Sequence, residues 1–198
     1  MPADHYRAVA SRAESRQKIE RSEFLGIALP VTEERDFFAE LESISKQHFD
    51  ATHHCWAFRL FENARSRSSD AGEPSGTAGK PILSAIEGGD LYDTGVVVVR
   101  WYGGVKLGTG GLSRAYRDTA ARALEIAPRA ERYVCETYDV VVPYDSLGVI
   151  YRLLDPPNIV LRSESFAEAN VFVIDVRRSR CQGFEAKLRE LRLEHKER

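Results

Sequence analysis

Long apolar runs, a cysteine framework and a secretion signal are all missing from this chain of 198 residues. No apolar run approaches the roughly 20 residues of a membrane-spanning helix, so no membrane partner is expected. The first 24 residues also lack the apolar core of a signal peptide, which predicts a cytoplasmic protein. Cys55, Cys135 and Cys181 are odd in number, far apart and without CxxC spacing, so neither a disulfide framework nor a zinc site is indicated.

A strong excess of positive charge is absent as well. The formal net charge is −2, from 28 Lys and Arg against 30 Asp and Glu. This balance argues against an extended nucleic-acid clamp, because affinity for phosphate backbones comes from many Lys and Arg contacts. A local basic patch remains open, either in the glycine-rich region described next or in the segment Val176–Arg180, which is also typical of a solvated edge.

Glycine is what the chain has in excess, and it is concentrated in one region. Of its 14 glycines, all but Gly26, Gly148 and Gly183 lie between residues 72 and 111. Glycine adopts positive φ easily and lets backbone N–H groups approach a partner. These glycines are interleaved with basic residues, which indicates a surface that receives an anion. The same glycines are equally compatible with a tight connection between a strand and a helix.

Apolar patterning predicts two α+β domains. The first alternates strands and helices, over strand 24–31, helix 32–49, strand 51–61, a helix from Thr77 to Gly88, strand 94–102 and a helix from Thr109. A charged segment, Pro128 to Arg132, is the predicted linker, and we place the domains at residues 1–129 and 133–198. The second domain is predicted as β-α-β-β-α, over strand 136–144, helix 145–154, strands 158–166 and 169–177, and helix 184–195. A ferredoxin-like fold would add a closing strand, and the pattern ends without one.

A candidate anion site follows the strand at 94–102. Arg100 and Tyr102 share a strand face there, and Lys106 lies close by. A turn then leads into a helix whose free N–H groups favour an anion, with Thr109 at its start and Arg114 one turn further on. Known phosphate motifs fit poorly. The GxxxxG spacing lacks the P-loop lysine, and the sequence GTGGLS has Ser where a dinucleotide fingerprint needs Gly or Ala.

Other polar residues are candidates for a cleft or for catalysis. Strand alternation places His53, Cys55 and Arg59 on one face, where a buried cysteine is usually a small hydrophobe and too few ligands are present for a metal. We expect His53 and Arg59 to line a cleft. Asp70 and Glu73 could act as acid and base, with Ser75 as nucleophile, but Asp, Gly, Pro and Ser are also the residues of a turn. Thr77 is a candidate cap for the following helix.

Three features of the chain together resemble the YigZ/IMPACT family: DAGEPSGTAGKPIL, VVRWYGGVKLGTGGLSRAY and the stripe His53, Cys55, Ala57 and Arg59. The resemblance covers most of residues 20–127, and the remainder is similar to the C-terminal domain of bacterial YigZ-type members. It implies an N-terminal α/β domain resembling domain IV of elongation factor G, a two-layer sandwich of the ribosomal-protein type. It also implies a small ferredoxin-like C-terminal domain similar to domain V of that factor.

The resemblance also carries residues and a class of function. Eukaryotic IMPACT relatives regulate translation by binding the activator of a stress kinase, and bacterial members are suspected of binding nucleic acid or the ribosome. The family motif marks these positions: His53, Arg59, Asp70, Gly72, Glu73, Pro74, Gly76, Thr77, Arg100, Tyr102, Gly103, Gly104, Lys106, Gly108, Gly110, Gly111, Arg114 and Tyr116. Three positions depart from it. Ala71 replaces the usual second acid, which weakens a two-carboxylate mechanism, RWYGG replaces RYFGG at residues 100–104, and Glu23 replaces a commonly basic residue.

Three hypotheses of function follow. The first is a translation-associated regulator that binds RNA or the ribosome. The second is an enzyme acting on a small phosphate- or carboxylate-bearing substrate, and the third is a regulator that binds a partner protein. No cofactor, metal ion or catalytic residue is assigned, and the sequence leaves open whether the protein is an enzyme. The predicted binding residues are His53, Arg59, Asp70, Glu73, Ser75, Thr77, Arg100, Tyr102, Lys106, Thr109 and Arg114.

Overall fold

A computed structural model describes residues 4–166 and 169–198 and divides the chain into two compact units. The glycine-rich unit is Arg7–Glu131, and the terminal unit combines residues 4–6 with Arg132–Arg198. Residues 4–6 therefore belong with the C-terminal part of the chain and not with the N-terminal domain in which the sequence placed them. One reason is charge pairing, because the Asp4 carboxylate accepts two hydrogen bonds from Arg177, at 2.6 and 2.7 Å.

The segment predicted as a linker is a strand. Strand β1 (His5–Val9) and strand β7 (Arg129–Tyr133) form a two-stranded sheet. We predicted the linker from Pro128 to Arg132, and the division between the two units, after Glu131, lies within that segment. Strand pairing depends on the backbone, and exposed strand residues are free to be charged.

The glycine-rich unit is built on a five-stranded antiparallel sheet in the order β2-β3-β6-β4-β5. Its strands are β2 (Ala13–Ile19), β3 (Ser22–Pro30), β4 (His53–Arg59), β5 (Ser66–Ser69) and β6 (Thr94–Trp101). Its helices are α1 (Glu34–Gln47), α2 (Gly79–Gly88) and α3 (Gly108–Ile126). Strands β3, β4 and β6 and all three helices occupy the segments where periodicity predicted them.

Helices lie on both faces of this sheet, so α1 adds a third layer to the two-layer sandwich that we expected. In the central strand β6, Val96 and Val98 pack in the core shared with α2 and α3. Val97 and Val99 pack on the opposite face with Phe37 of α1. A strand buried on both faces is an unbroken apolar run, and the four consecutive valines satisfy that requirement.

The terminal unit is a four-stranded antiparallel sheet with two helices, in the chain order β-α-β-β-α-β. Its elements are β8 (Cys135–Val141), α4 (Leu147–Leu153), β9 (Ile159–Phe166), β10 (Asn170–Arg177), α5 (Cys181–Glu190) and β11 (Glu194–Glu197). The strand order across the sheet is β11-β8-β10-β9. The buried face of this sheet and both helices share one apolar core.

The predicted pattern of the terminal unit had no closing strand, and this prediction is wrong because β11 is that strand. The predicted helix at 184–195 ends earlier, at Glu190, and Arg192 adopts a left-handed φ of 55°. The N–H of the buried residue Leu193 then donates to the Leu188 carbonyl, which turns the chain back along β8. No strand from another chain is required to complete this sheet.

None of the helices in the described ranges is both long enough and apolar enough to cross a membrane.

Candidate functional site

A pocket of about 470 Å³ opens at the amino-terminal end of α3 in the glycine-rich unit. The connection from β6 to α3 shapes it. A Cβ atom at Gly103 would lie 1.8 Å from the carbonyl oxygen of Arg21, so only glycine fits where these backbones meet. Gly103 N–H donates to Ser22 Oγ at 3.2 Å, which fixes this approach. The pocket is lined by Thr52, His53, Glu73, Pro74, Arg100, Tyr102, Lys106, Leu107, Gly108, Thr109 and Leu112.

A buried ion pair forms the floor of the pocket. Arg100 Nη1 donates to Glu73 Oε1 at 2.5 Å, and the two side chains are only 5% and 4% exposed. Tyr116 Oη donates to the same carboxylate oxygen at 2.7 Å. The guanidinium carbon of Arg100 lies 5.3 Å from the ring centroids of both Phe24 and Tyr102. Arg100 is therefore neutralised and enclosed, and it is not an open cation for a phosphate.

His53 lies beside this pair because β4 and β6 are in register, with His53 opposite Arg100. His53 Nδ1 is 3.0 Å from the carbonyl oxygen of Ala71, which can only accept a hydrogen bond. We assign the proton to Nδ1 on this basis, and in the neutral ring Nε2 then carries a lone pair. Nε2 is 3.8 Å from Glu73 Oε1. The inner end of the pocket therefore presents two acceptors, a carboxylate and an imidazole nitrogen.

Asp70 caps helix α2 and is not part of the pocket lining. Its carboxylate accepts hydrogen bonds from the N–H groups of Gly76, Ala78 and Gly79 at 2.8 to 2.9 Å. Burial by itself raises the pKa of Asp70, but these three donors favour the charged form and hold the pKa below its usual value. Thr77, which we expected to cap this helix, instead donates through Oγ1 to the Pro74 carbonyl at 2.6 Å. The turn interpretation of this segment therefore agrees with the geometry of Asp70.

Cys55 is enclosed behind the pocket floor. Its Sγ lies 2.9 Å from the Asp70 carbonyl oxygen, and burial raises the pKa of the thiol to about 12. Burial likewise holds the pKa of Tyr116 far above its usual value. A thiol nucleophile must be deprotonated to react. The geometry therefore agrees with the interpretation of Cys55 as a small core residue.

A second, shallower depression of about 330 Å³ lies beside the first, between α2 and α3. Arg114 lies here, together with Lys80 and Arg117, which the sequence analysis did not single out. We call the exposed residues Lys80, Lys106, Arg114 and Arg117 the cationic band. In the described parts of the chain, only Arg117 of these four has an acidic side chain within 4 Å, the exposed Asp118 at 3.8 Å.

Besides Asp70, Thr77 and Arg114, two further predicted residues lie away from the pocket. Arg59 is at the opposite end of β4 from His53, where Nη2 donates to the Tyr92 hydroxyl at 2.6 Å and the guanidinium carbon lies 3.7 Å from the Tyr92 ring. Ser75 is exposed in the turn before α2 and does not line the pocket. Of the eleven predicted binding residues, the structure brings together six in the pocket: His53, Glu73, Arg100, Tyr102, Lys106 and Thr109.

The residues that sequence reasoning missed carry different kinds of signal. Arg117 follows Arg114 by three positions in the helix, a spacing that places both on one face and could have identified it. Lys80 precedes Pro81 in the first turn of α2, and its position beside α3 depends on tertiary packing. Leu107 and Leu112 form apolar pocket wall, which has no local signature. In the parts of the chain that the structure describes, no group of three or more His, Cys, Asp or Glu is arranged to hold a metal ion.

The pocket and the cationic band lie within a segment that matches a known domain. The family model of the Impact N-terminal domain matches residues 20–124. The chain belongs to the IMPACT family. This membership confirms the resemblance inferred from the two glycine-rich motifs and the stripe on strand β4.

Curated IMPACT family members extend the similarity beyond this domain. YvyE of Bacillus subtilis is 34% identical over 187 residues, which are 94% of this chain and 86% of YvyE. A member from Haemophilus influenzae is 32% identical over 178 residues, 88% of this chain and 86% of that protein. YigZ of Escherichia coli is 35% identical over 141 residues, 70% of this chain and 69% of YigZ. A crystal structure described as that of a hypothetical protein matches 98% of this chain and 97% of its own, with 28% identity and a TM-score of 0.73.

Proposed function

We propose that this IMPACT family protein is a translation-associated regulator that binds single-stranded RNA, free or in the ribosome, through the cationic band and Tyr102. The observation that carries the proposal is the cationic band itself. Lys80, Lys106 and Arg114 are exposed, and among the described residues none of the three has a carboxylate within 4 Å. Cations without partners are available to bind phosphates, and the N–H groups at the nearby amino end of α3 also favour anions.

Local charge, not net charge, supports binding here. The chain as a whole carries −2, so attraction to RNA depends on a few exposed cations. Lys106 lines the pocket, and Lys80, Arg114 and Arg117 line the second depression. Tyr102 lines the pocket and is 44% exposed, so its ring is available to stack on a base. Arg100, which the sequence analysis placed among the RNA contacts, has a structural role in this proposal because Glu73 neutralises it.

The family resemblance supports the class of function and a finer description of the fold. We infer that the glycine-rich unit is related to domain IV of elongation factor G and the terminal unit to its domain V. The strand order β11-β8-β10-β9, with helices after the first and third strands, is that of a ferredoxin-like split βαβ fold and supports the second relation. We place the protein in the cytoplasm, where translation takes place.

Salt dependence tests the proposal directly. Binding of a labelled single-stranded RNA is measured by fluorescence anisotropy over a series of KCl concentrations. Each lost phosphate contact reduces the slope of log affinity against log salt by about 0.7, so Lys106→Ala with Arg114→Ala is expected to reduce it by roughly 1.4. The matched control is Lys18→Ala with Lys196→Ala, two exposed lysines outside the cationic band. An unchanged slope in the first double variant would overturn the proposal.

A second candidate function is catalysis on a small anionic substrate, and the size of the pocket favours it. Its volume of about 470 Å³ lies in the range of small-molecule sites. His53 Nε2 would serve as the proton acceptor, since Glu73 Oε1 is already engaged by Arg100 and Tyr116. Thermal-shift screening against a broad panel of phosphates and carboxylates tests this function, and no stabilising compound would count against it.

A third function, binding of a partner protein, is separated from RNA binding by an affinity pull-down. A partner that is retained after nuclease treatment and high salt would indicate protein contacts. Loss of the partner under both conditions is expected for RNA.

A further inference from the structure

The pocket beside the cationic band has three chemically distinct parts. Its mouth is cationic, with Lys106 and the free N–H groups at the start of α3. Its walls are largely apolar and include Pro74, Leu107 and Leu112, with Tyr102 exposed at one side. Its floor carries the acceptors of Glu73 and His53. A cationic mouth, apolar walls and a polar floor match the groups of a nucleotide in order, which are the phosphate, the faces of the base and the polar edge of the base.

The walls suit a flat aromatic ring. A Tyr102 side chain that is 44% exposed provides a stacking surface, and every nucleobase has a face to stack on it. Sites that read RNA sequence take unpaired bases in this way and recognise them by their Watson–Crick edges. The volume of about 470 Å³ accommodates one nucleotide and not a helix.

The floor indicates which base edge would be recognised. Glu73 Oε1 accepts from Arg100 and Tyr116, and no residue in the described ranges donates to Oε2. His53 Nε2 carries a lone pair once Nδ1 donates to Ala71. Two neighbouring acceptors require a base with neighbouring donors, and guanine presents N1–H and the 2-amino group side by side. Adenine, cytosine and uracil each offer a single donor position on this edge.

One polar atom of the floor also lacks a partner. Arg100 Nε is buried and has no hydrogen bond to any described residue, and the Tyr102 ring lies over the guanidinium. Buried donors are normally satisfied, so an unsatisfied one beside a pocket indicates a ligand that supplies an acceptor. The O6 atom of guanine is an acceptor adjacent to N1–H. A small turn of the exposed Tyr102 side chain onto the base would uncover Nε for it.

We propose that the pocket binds one unpaired guanosine of an RNA strand, with the base on Tyr102, its N–H donors on Glu73 and His53, and its phosphate at Lys106 and the start of α3. This inference rests on the proposed RNA-binding function and adds base specificity to it. The cationic band holds the flanking phosphates without reading sequence, and the pocket reads one base.

Free nucleotides test the pocket apart from the cations of the second depression, Lys80, Arg114 and Arg117. Isothermal titration is carried out on the full chain with GMP, IMP, AMP, UMP and ribose 5-phosphate. GMP is expected to bind at least tenfold more tightly than ribose 5-phosphate and roughly tenfold more tightly than IMP, which lacks the 2-amino donor. Tyr102→Ala is expected to weaken GMP binding roughly 5- to 100-fold. The matched control is Tyr144→Ala, since Tyr144 is 80% exposed and lies in the terminal unit. Equal binding of GMP and ribose 5-phosphate would overturn the pocket assignment.

Oligonucleotides separate failure of this inference from failure of the proposed function. A ten-nucleotide oligouridine is compared with the same strand carrying one central guanosine. The expected result is salt-dependent binding of both strands, tighter for the second, with the difference abolished by Tyr102→Ala. Equal, salt-dependent binding of both strands would overturn the guanosine pocket and leave RNA binding intact. Binding of GMP without binding of either strand would support the pocket and overturn RNA binding as the function.

Discussion

Replacing Glu73 with glutamine removes the negative charge that neutralises Arg100. Both side chains are almost fully buried, at 4% and 5% exposure, so water cannot compensate the guanidinium. Glutamine keeps the shape of the side chain and an acceptor for Tyr116, which isolates the effect of charge. Removing one partner of a buried ion pair leaves an uncompensated charge and costs about 3–5 kcal/mol.

The chain provides a matched control for this substitution. Arg16 Nη1 and Glu23 Oε1 are also 2.5 Å apart, but their side chains are 55% and 46% exposed. Exposed pairs contribute about 0–1 kcal/mol, because water and salt screen them. Glu23→Gln is therefore expected to change stability far less than Glu73→Gln, although the distance and the chemistry are the same.

Urea unfolding followed by tryptophan fluorescence measures the difference. Trp56 and Trp101 are the only tryptophans in the sequence, and both lie in the glycine-rich unit, so the signal reports on that unit alone. With a denaturant dependence of about 2 kcal/mol per molar urea, Glu73→Gln is expected to lower the midpoint by roughly 1.5–2.5 M. The reasoning is refuted if Glu73→Gln shifts the midpoint no more than Glu23→Gln does.

Three further outcomes follow from the same geometry. Burial raises the pKa of Cys55 to about 12, so its thiol is expected to resist iodoacetamide at pH 8 in the folded protein and to react fully in urea. Peptide mass spectrometry measures the alkylation, and rapid alkylation without urea would contradict the enclosure of Cys55. Asp70→Asn is expected to cost about 1–2 kcal/mol at pH 7. The pKa of Asp70 in the folded protein lies below its unfolded value, so the charged carboxylate stabilises the fold above roughly pH 4, and this stabilisation is lost as the pH falls through the lowered pKa. The difference in free energy of unfolding between the wild-type protein and Asp70→Asn should therefore become smaller in acid. Gly103→Ala is expected to prevent stable folding because of the contact with Arg21, whereas Gly110→Ala, with open space around it, should be neutral or stabilising by up to about 1 kcal/mol in thermal melts.

The central elements of the fold could be predicted because their patterns are strong. The four valines of β6 identify a strand buried on both faces, and alternation in β4 correctly divides Cys55 and Ala57 from Trp56 and Phe58. Edge strands carry weaker signals. Strand β2 has charged residues on an exposed face, and β11 has only four residues. Both are strands because their backbones pair with a neighbouring strand, and their apolar content does not reveal this.

The pocket could be predicted in part because its glycine-rich turn is local. The grouping of Tyr102, Lys106 and Thr109 follows from a strand that leads directly into a helix. The partner of Arg100 could not be predicted, because Glu73 precedes it by 27 positions and reaches it only through the turn before α2. The same limit applies to Arg59, which shares a strand face with His53 but lies at the other end of the strand.

Cosedimentation with ribosomes tests the central claim most directly. Lysate of the source cells is fractionated on sucrose gradients at low and high salt, for the wild-type protein and for the Lys106→Ala, Arg114→Ala double variant. Our account predicts that the wild-type protein travels with ribosomal subunits or with other RNA at low salt, that high salt releases it, and that the double variant is released at lower salt. Migration as free protein under both conditions, or binding that neither salt nor the double variant weakens, would contradict it.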